Sequence, residues 1–90
     1  MDKIISIVSE RTGVPVSDIL SAKRAQDINE ARRIFIYLSY MSGCSMASIS
    51  KYLHGMTRQN ISRHVRILGW EMEHYRYIGV KVKGIKDAVV

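Results

Sequence analysis

The chain has 90 residues, room for one small domain over residues 1–90 and not for a catalytic domain beside a binding module. Apolar residues at 47% and charged residues at 24% exclude a disordered polyelectrolyte. Lys and Arg number 14 against 8 Asp and Glu, and this +6 points past mere solubility to a polyanionic partner, nucleic acid ahead of an anionic membrane.

Read for period, the chain is helical almost throughout. Ile4, Ile5, Val8 and Thr12 form a first helical stripe, which Gly13 and Pro15 stop. Pro15 restrains Val14 to an extended conformation. Ser17 is expected to cap a short helix from Asp18 to Ser21, pinning Val16, Ile19 and Leu20 to the core. A basic connector, Ala22-Lys23-Arg24-Ala25-Gln26, follows. Asp27-Ile28-Asn29-Glu30 has the spacing of a capping box. It opens a longer helix with Ala31, Ile34, Phe35, Leu38 and Met41 on one stripe, and Gly43 ends it. Ser45 caps the next helix, where Met46, Ile49 and Leu53 face inward and His54-Gly55 closes. Thr57 caps the last strong helix, from about Arg58 to about Tyr75. The tail alternates like a strand over Ile78–Gly84, yet Val82, Ile85, Lys86 and Val89 also suit a short terminal helix, which we favour. An all-α bundle of five to six helices is therefore expected.

The informative segment runs from Ser45 to Leu68. Gly55 followed six residues later by Ile61 is the spacing of a helix-turn-helix, with a permissive residue in the turn and an apolar lock after it. With Ile61 set at zero on the helical wheel, Val65, Leu68 and Met72 fall within about 40° of it. Gln59, Ser62, Arg63 and Arg66 fall between about 100° and 200°, a face without acids until Glu71 and Glu73. Arg58 lies in the first turn, against the helix dipole, which suits a phosphate or base edge nearby. Gln can bond adenine N6 and N7 together, and Arg can fork onto guanine O6 and N7. A solvated surface helix does not account for Lys23, Arg24, Lys51, Arg58, Arg63 and Arg66 all being basic.

From Gly13-Val14-Pro15-Val16-Ser17-Asp18-Ile19-Leu20-Ser21 into its basic loop, the chain resembles the opening of the C-terminal DNA-binding domain of the bacterial replication initiator DnaA. Ala31-Arg32-Arg33-Ile34-Phe35-Ile36-Tyr37-Leu38 is similar to that family's next helix, and Ser45-Met46-Ala47-Ser48-Ile49 to its Ser-Leu-x-x-Ile. Gly55 to Ile67 takes the place of its Gly-Arg-Asp-His-Thr-Thr-Val-x-His signature, so the resemblance covers about residues 4–68 and leaves 69–90 as an extension. It implies a Trp repressor-like helix-turn-helix whose signature helix enters the major groove of double-stranded DNA while the basic loop reaches the adjacent minor groove. Carried over by position, Thr57, Arg58, Gln59 and Asn60 stand in the signature, Lys23, Arg24 and Gln26 in the loop, and Arg32 at the phosphate-contacting helix start. The signature's Arg-Asp-His is Met56-Thr57-Arg58 here, and Gln26 stands at a usually basic loop position, so the bases read are expected to differ. The initiator's ATPase domain has no counterpart in these residues, and a stand-alone relative of the reading head is expected.

Together these readings assign base contacts to Arg58, Gln59, Ser62 and Arg63. Backbone or minor-groove contacts go to Lys23, Arg24, Gln26, Arg32, Lys51, Thr57, Asn60 and Arg66. The expected role is regulation of replication or transcription in a bacterium or phage; the competing reading is a protein adaptor that keeps the fold without reading DNA. No enzyme is expected, because no nucleophile, acid–base pair or metal set assembles, and neither a cofactor nor a small-molecule substrate is expected. His54, His64 and His74 stand ten residues apart, without the helical i, i+4 spacing of a metal pair; Glu71, Glu73 and His74 project to different sides. His64, about 60° from Ile61, reads as half-buried, and Tyr37, Tyr40, Tyr52, Tyr75 and Tyr77 read as core-edge residues. The single Cys44 excludes an internal disulfide and reads as a structural cysteine. Gly79 to Lys86 lacks the Gly-Lys-Ser/Thr ending of a phosphate loop and reads as a basic tail. No apolar run reaches spanning length and no signal peptide is visible, so a cytoplasmic location is expected. Trp70 falls about 180° from Ile61, on the basic side of its helix. Either the tail folds back to cover it, or it meets a protein partner or a second copy.

Overall fold

The computed structural model describes residues 1–54 and 56–89, which form six helices and, among the described residues, no strand. Helix α1 (Asp2–Thr12) buries Ile4, Ile5 and Val8, the stripe its spacing predicts. It ends at Gly13, whose left-handed φ of 78° lets its N–H reach the Ser9 carbonyl at 2.9 Å. Helix α2 (Val16–Ile19) starts earlier than Ser17 would set it, and Ser17 caps nothing. Pro15 stands at the N-cap instead, with φ −58° and ψ 146°, and its carbonyl accepts from the N–H groups of Asp18 and Ile19. The proline ring fixes the backbone and leaves a side-chain cap with no job.

The same correction applies to helix α3 (Gln26–Met41). Ala25 is its N-cap, with φ −57° and ψ 145°, no side chain caps it, and Asp27 lies inside the first turn. There its carboxylate still favours the helix through the dipole. Ala31, Ile34, Phe35 and Leu38 are buried as their stripe predicts, and Ile28 and Ile36 join them. Met41 does not: it is 56% exposed, because the last residue of α3 already lies past the edge of the core.

Helix α4 (Met46–Tyr52) and helix α5 (Arg58–His74) are both capped as the sequence predicts. The Ser45 hydroxyl accepts from the Ser48 N–H at 3.1 Å and the Thr57 hydroxyl from the Asn60 N–H at 3.2 Å. Between them the chain reverses at His54, whose φ of 57° is left-handed. Gly55, to which the sequence assigns the turn, lies outside the described residues. Ser50 donates its hydroxyl to the Met56 carbonyl and so clasps α4 to the entry of α5. Ile49, Leu53 and Ile61 lock the two helices over the core. Truncating Ile61, which is wholly buried, to alanine would cost about 2–5 kcal/mol.

Tyr75 breaks α5 with an extended backbone, and helix α6 (Arg76–Val89) turns back from it. The tail is thus a helix, longer than the turn or two the sequence suggests. Its Val82 and Ile85 are buried, and it packs on α1 and α5. Gly79 eases the crossing of α6 over α5, since a Cβ there would stand 3.3 Å from the Met72 carbonyl oxygen, a tight contact. Tyr37 and Tyr52 sit at the edge of the core as expected, whereas Tyr40, Tyr75 and Tyr77 are exposed. None of the described helices is long and apolar enough to cross a membrane.

Candidate nucleic-acid interface

Burying Ile61 and Leu68 against the core turns the opposite side of α5 outward. Arg58, Gln59, Asn60, Arg63 and Arg66 are exposed there, and Ser62 is half-buried beside them. Among the described residues, Arg24, Lys51, Arg58, Arg63 and Arg66 make no ion pair. Helix α6 lies against the other flank of α5 and leaves this face open. The Thr57 cap satisfies one N–H of the first turn, and no acid stands in that turn. The positive end of the helix is therefore presented outward together with Arg58.

A cleft between the loop, α3 and α5 joins two of the predicted groups. Arg24 from the loop, Asn29 and Arg33 from α3, and Asn60 and Arg63 from α5 line it. The loop and α5 are thus two banks of one basic surface. Lys51 lies apart from it on α4, in a shallow hollow with Met1, Ser48 and Tyr52. Gln26 begins α3 and faces a different cavity, beside Glu30, Tyr77 and Lys81.

Two basic residues, Arg32 on α3 and Lys23 in the loop, correct the reading from sequence. Arg32 is not a free phosphate contact at a helix start: it is 4% exposed. Its Nε donates to the Ile19 carbonyl at 2.8 Å, its Nη1 to that of Lys23 at 3.0 Å, and its Nη2 to those of Asp18 at 3.1 Å and Ser21 at 2.6 Å. The guanidinium has five N–H donors, and its four hydrogen bonds all go to backbone carbonyls leading into and within the loop. Lys23 also has an acid beside it: its Nζ stands 3.0 Å from Asp18 Oδ1, although the side chain is largely exposed.

Arg33, which also lines this cleft, has a place that reasoning from sequence missed. Its Nε donates to His64 Nδ1 at 3.2 Å and its Nη1 to Glu71 at 3.1 Å, which ties α3 to both halves of α5. Burial, with the charges of Arg33, Arg32 and Arg63, pushes the His64 pKa down to about 4, so the ring is neutral and accepts from Arg33. Glu71, which the sequence left on the outer side of α5, is turned to this arginine. Among the described residues no three of His, Cys, Asp and Glu gather as metal ligands.

Trp70 is 53% exposed, so the tail does not cover it. Its ring stacks on His74 with centroids 4.1 Å apart and meets Tyr75 edge-on at 5.8 Å.

A capped helix pair clasped at its turn, with an open basic face on the second helix, defines a helix-turn-helix domain of the DNA-binding class. The family described as "Bacterial dnaA protein helix-turn-helix" matches residues 1–67. The chain belongs to this family, whose domain binds double-stranded DNA and is not by itself a catalyst. Among its relatives is the chromosomal replication initiator protein DnaA of Campylobacter concisus, 34% identical over the whole chain and 21% of the relative's length. That of Campylobacter curvus is 31% identical over the same shares. That of Aliarcobacter butzleri is 30% identical over 97% of the chain and 20% of the relative. The chain spans about a fifth of the length of the curated relatives it matches, and their alignment takes in α6 as well as the helix-turn-helix.

Proposed function

We propose that the chain is a single domain that reads duplex DNA by sequence through α5, as a binding module rather than an enzyme, in the cytoplasm of a bacterium and in the service of replication control. The observation that carries this reading is the outward stripe of Gln59, Ser62, Arg63 and Arg66, open along α5 with no carboxylate paired to its arginines among the described residues. Arg58, Gln59, Ser62 and Arg63 reach base edges from the first two turns. Arg24 approaches the backbone or minor groove from the loop side, with Lys23 on the phosphates. Lys51, Thr57, Asn60 and Arg66 hold phosphates and set the register. Arg32 acts behind them by fixing the loop's path.

Fluorescence anisotropy against random duplex at low salt tests the electrostatic part, and selection from a random duplex pool tests the reading. Binding should weaken steeply with salt, by about 0.9 log units per log unit of salt for each phosphate neutralised. The pool should converge on one sequence. An adaptor that keeps the fold without reading DNA, with Trp70, Tyr75 and Tyr77 as its exposed contact, would show neither.

A further inference from the structure

The α5 face does not stop at the base-reading residues. Advancing 100° per residue, Gln59, Arg63, Arg66 and Trp70 stay within about 60° of one another over three turns. Trp70 therefore points to the same side as the readers, about 16 Å further along the helix axis than Gln59. The major groove is about 12 Å wide. A helix that places Gln59 and Arg63 on base edges carries position 70 past the groove wall, to the strand that bounds it.

The surroundings of the indole suit that strand. Trp70 shares a shallow hollow with Arg63, Arg66 and Ile67, in which two guanidinium groups stand beside apolar surface. A phosphate followed by a deoxyribose offers that same pairing of anion and apolar ring. Among the described residues no carboxylate lines the hollow, and Glu73 one turn on marks the end of the cationic stripe. A second copy of the chain would bring like charge to the two arginines, since each copy carries +6. The ring is also held in place before any partner arrives, by the stack on His74 and the edge of Tyr75. Little side-chain entropy is left to lose on contact.

We infer that Trp70 is a duplex-flank contact: the indole packs on the sugar–phosphate backbone beyond the bases read by α5, with Arg66 on the adjoining phosphate, and lengthens the bound site. This rests on the α5 reading proposed above. Trp70 is the only tryptophan, so its emission reports the contact directly. The probe is the pool-selected sequence as a duplex trimmed to about one helical turn, and the same duplex extended by about four base pairs at each end. Emission should shift with the extended duplex and not with the trimmed one. Trp70→Ala should weaken the extended duplex about five- to tenfold and the trimmed one less than about twofold. Trp70→Phe should keep the dependence on length. An emission unmoved by the extended duplex, or a Trp70→Ala chain that binds both duplexes as the parent does, overturns the contact and leaves the indole to a protein partner. If Arg63→Ala still changes base choice in that case, only the flank contact falls. A chain that binds no duplex takes both proposals down.

Discussion

Two basic regions flank the same cleft, and they use their arginines in opposite ways. On the loop side, Arg32 is sunk beneath the chain with its donors on four carbonyls, and Lys23 is held by Asp18. On α5, Arg58, Arg63 and Arg66 stand in water with no carboxylate paired to them among the described residues. A buried cation is tolerable only with its hydrogen bonds made, so it fixes the shape of whatever supplies the acceptors. An exposed cation contributes little to the fold and keeps its charge for a phosphate. Residue type alone therefore does not separate the structural cations of this domain from the free ones; the presence or absence of internal acceptors does.

The largest expected effect tests the buried side of that contrast. Arg32→Ala removes four hydrogen bonds and strands carbonyls near the core, which should lower stability by about 3–4 kcal/mol in thermal or urea unfolding. Arg32→Lys should recover only part, because an ammonium has three donors and no planar fork. A variant with the parent's stability and lost affinity would make Arg32 a direct DNA ligand and erase the distinction. Arg63→Ala sharpens the exposed side. Its unfolding should stay within about 0.5 kcal/mol of the parent, while discrimination at one base pair falls by about 1–3 kcal/mol in competition binding.

Much of the fold was legible because the apolar residues keep a helical period, and the Ser45 and Thr57 caps were legible because each hydroxyl precedes such a stripe. The Ser17 and Asp27 caps misled because the extended backbone at Pro15 and Ala25 starts both helices first. The alternation over Ile78–Gly84 also suits a strand, but the helical reading favoured for the tail holds, since Val82 and Ile85, three residues apart, are buried together on α6. Arg32 carried a signal that was overlooked. It lies four residues after Ile28 and four before Ile36, both buried, so its own register faces the interior. What no pattern in the sequence could show is that its partners are backbone carbonyls, or that Arg33 reaches His64 and Glu71 more than thirty residues away.

His64 offers a test through pH at the seam between the two regions. Its pKa is about 4 in the fold against 6.5 when free, so between those values the unfolded chain binds the extra proton. Stability should be complete above about pH 6.5, fall as pH drops toward 4, and level off below. The ring is partly exposed and its charged neighbours are screened, which limits the loss to about 1–2 kcal/mol. Protonation would also place a cation against Arg33 and end the hydrogen bond from its Nε. His64→Gln should flatten the curve over this window; an unchanged slope would mean the arginines do not press on the ring.

Lys23 is the intermediate case, and its effect is the smallest. Its side chain is 65% exposed yet 3.0 Å from Asp18, so it is neither buried structure nor open charge. An exposed pair of this kind contributes about 0–1 kcal/mol to stability, and Lys23→Ala should leave unfolding nearly unchanged. On DNA the ammonium can exchange Asp18 for a phosphate at little cost. Its loss should then weaken all duplexes alike and reduce the salt slope by about one. Asp18→Asn separates the two uses of the charge. If the pair restrains Lys23, releasing it should raise affinity for any duplex at low salt and leave base choice untouched. A fall in affinity would show instead that Asp18 positions the lysine for its phosphate, and the loop would then belong wholly to the preorganised side of the comparison.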